Sequence, residues 1–171
     1  MEQTAKILRS TGLVRPMPWD LVSMIRGKAW HVEDVVREIA NGADHSWELS
    51  LGQAALVSVA FFVDTVDADL IATMSIGETY TGGENEATKY NLSEYATGDA
   101  TFSIYHDPSN YAGDVEMSRI LPTTEEEVLA LESLERGYML LQAGGQRRFK
   151  VANDSGDTRT VKLLMRVHEI D

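Results

Sequence analysis

Three groups of residues in this 171-residue chain have types and spacings that suit chemistry: a glycine-rich run, four histidines and a surplus of carboxylates. The run Tyr80 to Asn91, YTGGENEATKYN, sets Gly82 and Gly83 among hydroxyls with one lysine, Lys89. A phosphate loop needs such glycines to feed a helix N-terminus, with lysine and a hydroxyl directly after them. Here Glu84 and Glu86 follow instead and would repel a phosphate, so the two glycines read as a turn that supplies positive φ between strands. His31, His45, His106 and His168 lack the i, i+4 spacing of a zinc helix, and no two lie near each other in the chain. His106-Asp107 and His168-Glu169 sit at strand ends, where adjacent side chains point to opposite faces and cannot share a metal. Hydrogen-bonded or surface histidines are expected. No G-x-S-x-G nucleophile elbow is present. Asp64, Asp67 and Asp69 resemble a fragment of a calcium loop but lack its glycine and distal glutamate, and read as a solvated turn. The expectation is a chain with no catalytic, cofactor or metal residues, and not an enzyme. A hydrolase would need two carboxylates converging ~5–9.5 Å apart, which sequence does not display.

Composition narrows the partners. Net charge is −12, with three basic against seventeen acidic side chains between residues 47 and 146. Such a surface repels phosphate backbones, so nucleic acid is not an expected partner. The absence of cysteine excludes disulfides and cysteine-ligated metals. The longest apolar stretch, Ala54 to Val63, is too short for a membrane-spanning helix, and MEQTAKILRS shows no signal-peptide core. No membrane partner is expected, and cytosolic synthesis follows, though not cytosolic residence.

The elements that would position these residues change character along the chain. Residues 1–46 read as an N-terminal arm and helices: Pro16 and Pro18 hold an extended arm, and WDLVSMIRGKAW follows as a glycine-interrupted helix. Val32, Val35, Val36, Ile39 and Ala40 then repeat at helical spacing before Asn41-Gly42, which predicts a second helix. From Trp47 the period falls to two. WELSL, AALVSVAFFV, DLIATMSIG, ATFSIYH, RFKVA and TVKLLMRVHE read as strands, with Asn153 to Asp157 as a hairpin connection between the last two. Thr123 to Gly137, with Glu125 to Glu127 in its first turn, predicts a short helix. TGGENEATKYNLSEYATGD and DPSNYAGDVEMSR read as long loops, where an interaction surface is expected. The fold class is therefore mainly β: an antiparallel, jelly-roll-like sandwich over 47–171, preceded by an extended arm and one or two helices.

Several turn residues carry a likeness. Thr81-Gly82-Gly83, Asn91-Leu92-Ser93, His106-Asp107-Pro108, and Phe149 running into Asn153-Asp154-Ser155-Gly156 and the strand Val161 to Glu169 make the region from Thr79 to Glu169 resemble virion structural proteins of tailed phages, the small sandwich-type head-decoration or cement components. The chain departs from that pattern at Glu84, at Thr88-Lys89-Tyr90 and at Ser93. The resemblance implies a noncatalytic, capsid-associated subunit located in the virion, made in a host cytoplasm, that oligomerises and binds the major capsid protein or other virion proteins.

Under that expectation the arm grips neighbouring subunits through Leu13, Val14, Met17 and Trp19. The loops present Tyr80, Gly82, Gly83, Tyr90, Asn91, Tyr95 and Tyr111. Alternatives are a jelly-roll shell or tail subunit, and a carbohydrate- or receptor-binding sandwich that stacks sugars on Tyr80, Tyr90, Tyr95, Tyr105 and Tyr111.

Overall fold

A computed structural model describes residues 19–63, 70–81, 84–93, 98–120, 129–130 and 138–170. Among the described residues, one short helix, α1 (Trp19–Ile25), precedes twelve strands. These are β1 (Ala29–Ile39), β2 (Ala43–Leu51), β3 (Ala55–Val63), β4 (Leu70–Thr81), β5 (Glu84–Glu86), β6 (Lys89–Asn91), β7 (Phe102–His106), β8 (Ser109–Ile120), β9 (Leu129–Ala130), β10 (Met139–Leu141), β11 (Gln146–Asn153) and β12 (Arg159–Glu169). Sheet I runs β10-β3-β12-β1-β6, with β9 also on β3; sheet II runs β5-β7-β2-β11-β4-β8. Every pairing is antiparallel. The protein is a mainly β sandwich of two sheets.

The pairings of β1 with β12, β2 with β11, β3 with β10 and β4 with β8 describe one long hairpin rolled upon itself. As β1 to β4 alternate between the sheets, so do their partners, which is the double Greek key of a jelly roll. The strands β5 to β7, inserted between β4 and β8, extend the roll at the edges beside β2 and β1.

Alternation places the core. Val161, Leu163, Met165 and Val167 of β12 and Trp47, Leu49 and Leu51 of β2 point inward and are buried. The sheets meet through aromatic pairs: Trp47 of sheet II stands 5.8 Å from Phe61 of sheet I, and Trp30 of sheet I stands 6.2 Å edge-on from Phe102. Burying each such side chain contributes ~1.5–3 kcal/mol, and much of that would be forfeited by truncation.

Four expectations change. Residues 31–39 form most of strand β1, not a helix. Val32, Val36 and Ile39 face the core at apparent helical spacing because a bulge between Val36 and Ile39 inserts one extra residue and restores the inward phase. β-Branched valines favour the strand, and Glu38, at φ 66°, makes the turn within it. The sandwich therefore begins at β1, and residues 29–46 belong to its sheets. Asn153 to Asp157 does not close a hairpin, since β11 lies in sheet II and β12 in sheet I; it is an arch between sheets. The segment Asp107 to Arg119, read as a long loop, instead forms most of β8 from Ser109 onward, drawn into pairing by β4 despite its turn-forming residues. At Leu129–Ala130 the expected helix is instead the strand β9, and the rest of 123–137 lies outside the described residues.

Two arches lock side by side. The amide of Gly42 donates to Asn153 O at 2.7 Å, and that of Gly156 donates to Asn41 Oδ1 at 2.9 Å. Asn153 Nδ2 donates to Ile39 O at 2.7 Å, and Asn153 Oδ1 accepts from Ser155. One buried amide side chain thereby joins the two crossings between sheets.

Candidate functional site

The residues expected to form an interaction surface are only partly gathered. Tyr90 and Asn91 lie on β6, the edge of sheet I, in register with His31 and Trp30. Asn91 Nδ2 donates to Gly27 O at 3.0 Å, and the amide of Leu92 donates to Ala29 O at 2.9 Å. These bonds set β6 against the turn that closes α1, where Gly27 adopts φ 70°. The helix is docked by its Ser23, whose Oγ lies 2.6 Å from Nδ1 of the buried His168. The result is a group of exposed apolar side chains around one turn: Met24, Ile25 at 60% exposure, Tyr90 at 55% and Leu92. Trp19 opens α1, Tyr80 lies in β4 and Tyr111 in β8. Leu13, Val14, Met17, Gly82, Gly83 and Tyr95 lie outside the described residues, as do Asp64, Asp67, Asp69 and Glu125 to Glu127.

A second constellation was not legible in the sequence. At the mouth between the sheets, two histidines and two aspartates form a continuous chain. Asp34 projects inward from β1, His45 from β2, and His106 ends β7. His45 Nδ1 stands 2.7 Å from Asp107 Oδ2, and its Nε2 stands 3.1 Å from His106 Nδ1. His106 Nε2 continues to Asp34 Oδ2 at 3.5 Å. The carboxylates are themselves anchored: Trp47 Nε1 donates to Asp34 Oδ2 at 2.6 Å, and Ser46 donates its amide to Asp107 Oδ1 at 2.8 Å. Asp34, His45 and His106 are half-buried, while Asp107 opens to solvent.

His106 and Asp107 are neighbours in sequence, yet they reach opposite ends of the same imidazole. Strict alternation forbids this, and it was the ground for expecting them to act apart. Asp107 escapes alternation because it lies just past β7 with φ 37°, a left-handed conformation that aspartate tolerates better than most residues. Its amide donates to Ser46 O at 2.9 Å, holding the turn against β2.

Burial pushes the pKa of His45 below the ordinary histidine value, against the pull of Asp107, because the charged ring loses hydration in the mouth of the sandwich. Asp34, His45 and His106 each offer one ligand atom, and these lie within 4.8 Å of one another. The only sequence signal was the presence of histidine on four separate segments; which of them meet is decided by the β1–β2 arch and the β2–β7 pairing.

Other polar groups act structurally. Glu169, 2% exposed, accepts from Trp30 Nε1 at 3.2 Å and from the amide and hydroxyl of Thr101 at 2.6 and 2.5 Å. Glu48 and Arg148 face each other in register on the outer side of sheet II, both buried.

No family model matches the chain, and no curated protein matches it. Among solved structures it is similar to the Yersinia pseudotuberculosis-derived mitogen, at 10% identity and a TM-score of 0.34, over 84% of this chain and 86% of that one. It is also similar to the VP2 subviral particle of infectious bursal disease virus, at 9% identity and a TM-score of 0.18, over 83% of this chain and 41% of that one. At such TM-scores neither likeness bears on function.

Proposed function

We propose that the chain is a noncatalytic structural subunit that works by assembling with other protein chains, its specific form being a capsid-associated decoration or cement protein of a virion. The observation that carries this reading is the set of exposed apolar side chains, Met24, Ile25, Tyr90 and Leu92, around the turn between α1 and β1. Apolar groups collected at a sheet edge favour burial against another polypeptide, at ~25 cal/mol per Å² of surface removed from water. β6 is also the edge strand of sheet I among the described residues and is three residues long, the kind of strand on which a partner chain can add. The inter-sheet space, where a ligand-binding jelly roll would hold its ligand, contains Trp47, Phe61, Phe102 and Phe149. The virion assignment itself draws on the sequence resemblance between Thr79 and Glu169.

Mass in solution tests the reading. Light scattering on the full chain is expected to give an oligomer, and Ile25→Asp with Leu92→Asp is expected to lower the mass at least tenfold in association constant while the far-ultraviolet spectrum remains that of β structure. A wild-type chain that stays monomeric at high concentration and adds to no particle would overturn it. For the virion form, the purified chain is mixed with capsids lacking it. Retention on the particles, lost in the double variant, is the expected result.

A further inference from the structure

We propose that Asp34, His45 and His106 form a binding site for a divalent transition-metal ion of the zinc class, which straps sheet I to sheet II. The ligand types are those such ions prefer, two imidazole nitrogens and one carboxylate oxygen. They come from three strands, β1 of sheet I and β2 and β7 of sheet II, so a bound ion ties the two layers at their open mouth. His45 Nε2 and His106 Nδ1 are 3.1 Å apart, close to the ~3.3 Å that separates two ligands each ~2.0–2.1 Å from a tetrahedral zinc.

The surroundings are those of a metal centre as well. A ligating histidine usually donates its other ring N–H to a carboxylate, which fixes the tautomer and makes the free nitrogen a better donor to the ion. Asp107 does this for His45: Nδ1 is held at 2.7 Å, leaving Nε2 toward the cluster. Asp107 is in turn fixed by the amide and hydroxyl of Ser46 at 2.8 and 3.3 Å. Trp47 donates to Oδ2 of Asp34 at 2.6 Å, which orients the carboxylate beside His106. His106 presently bridges His45 and Asp34 with its two nitrogens. A turn of its ring toward their midpoint exchanges these two contacts for one coordination bond. The cation also balances charge, since the carboxylates of Asp34 and Asp107 both face the two rings. Three protein ligands leave the fourth position to water.

The site is independent of the assembly role, and its test uses only the monomer's own properties. The full chain, free of any affinity tag and stripped with chelator, is titrated with Zn2+ by calorimetry and followed by the ring signals of its histidines in nuclear magnetic resonance. One ion per chain is expected, with the His45 and His106 signals shifting together and those of His31 and His168 staying in place. The thermal midpoint is expected to rise with Zn2+. His45→Ala and His106→Ala should remove both effects, and Asp107→Ala should weaken binding about 10- to 100-fold. Cobalt(II) substituted for zinc should give the visible absorption of a low-coordinate ion. The ring signals are read on the wild-type chain, so a variant that fails to fold leaves the proposal open to refutation. No uptake of Zn2+, shifts at His31 or His168 instead, or undiminished binding in folded variants would each overturn it.

Discussion

At the residue scale, what decides a polar group's role is which oppositely disposed atoms the fold brings to it. Glu169 ends β12 on the inward face, where a carboxylate would be costly to bury alone. It is tolerated because three donors, Trp30 Nε1 and the amide and hydroxyl of Thr101, meet its two oxygens. Glu169→Gln keeps the volume but turns an amide N–H2 toward one of those donors. The expected loss of stability is about 2–3 kcal/mol, read from the midpoint of a urea transition at unchanged slope. A loss below ~0.5 kcal/mol would mean that water already satisfies the donors. His168 shows the same logic: Ser23 and Tyr138 occupy its two nitrogens at 2.6 and 3.2 Å, so it anchors α1 and Tyr138 rather than joining the cluster of His45 and His106.

At the scale of elements, β1 is the instructive case. Its sequence, HVEDVVREI, satisfies a helical template because one extra residue between Val36 and Ile39 converts a period of two into an apparent period near 3.6. The β-branched residues carried the opposing signal, and pairing with β12 made it decisive. The bulge leaves Glu38 at φ 66°, a conformation that costs a non-glycine residue roughly 1–2 kcal/mol. Glu38→Gly relieves that strain and frees more unfolded-state entropy, so a net gain of about 0.5–1 kcal/mol is expected in chemical denaturation. A destabilised variant would show that the bulge residue is held without strain. The opposite condition holds at Gly52, between β2 and β3, where a Cβ would stand 2.4 Å from the carbonyl oxygen of Thr101. Gly52→Ala is expected to destabilise by about 1–3 kcal/mol, measured in the same way.

For the whole molecule, the rolled hairpin explains why the site lies at a mouth between layers. Each crossing between sheets brings segments distant in sequence to one rim, and the β1–β2 crossing carries Asp34 and His45 to the rim where β7 ends in His106. The net charge of −12 opposes the association of like copies. Raising ionic strength from ~0.01 to ~0.15 M shortens the screening length from ~30 to ~8 Å, so self-association is expected to strengthen with salt in sedimentation equilibrium. Weakening with salt would mean that the interface is built on opposite charges rather than on Ile25, Tyr90 and Leu92.

Six strands from Trp47 onward, and with them the two-layered β architecture, were legible in the sequence alone, because alternation with a period of two has few solutions other than a sheet with one covered face. So was α1, whose residues lie within the segment expected to be helical. Tertiary structure alone decided four matters: that β1 is a bulged strand, that the loop-like segment before Ile120 pairs as β8, that Asn153 to Asp157 arches between sheets, and that His45 and His106 meet. Each depends on which strands pair across more than a hundred residues or across the roll, as β1 with β12 and β2 with β7. Local propensity carries no information about that choice; it is made by the joint burial of two apolar faces, which only the closed sandwich can supply.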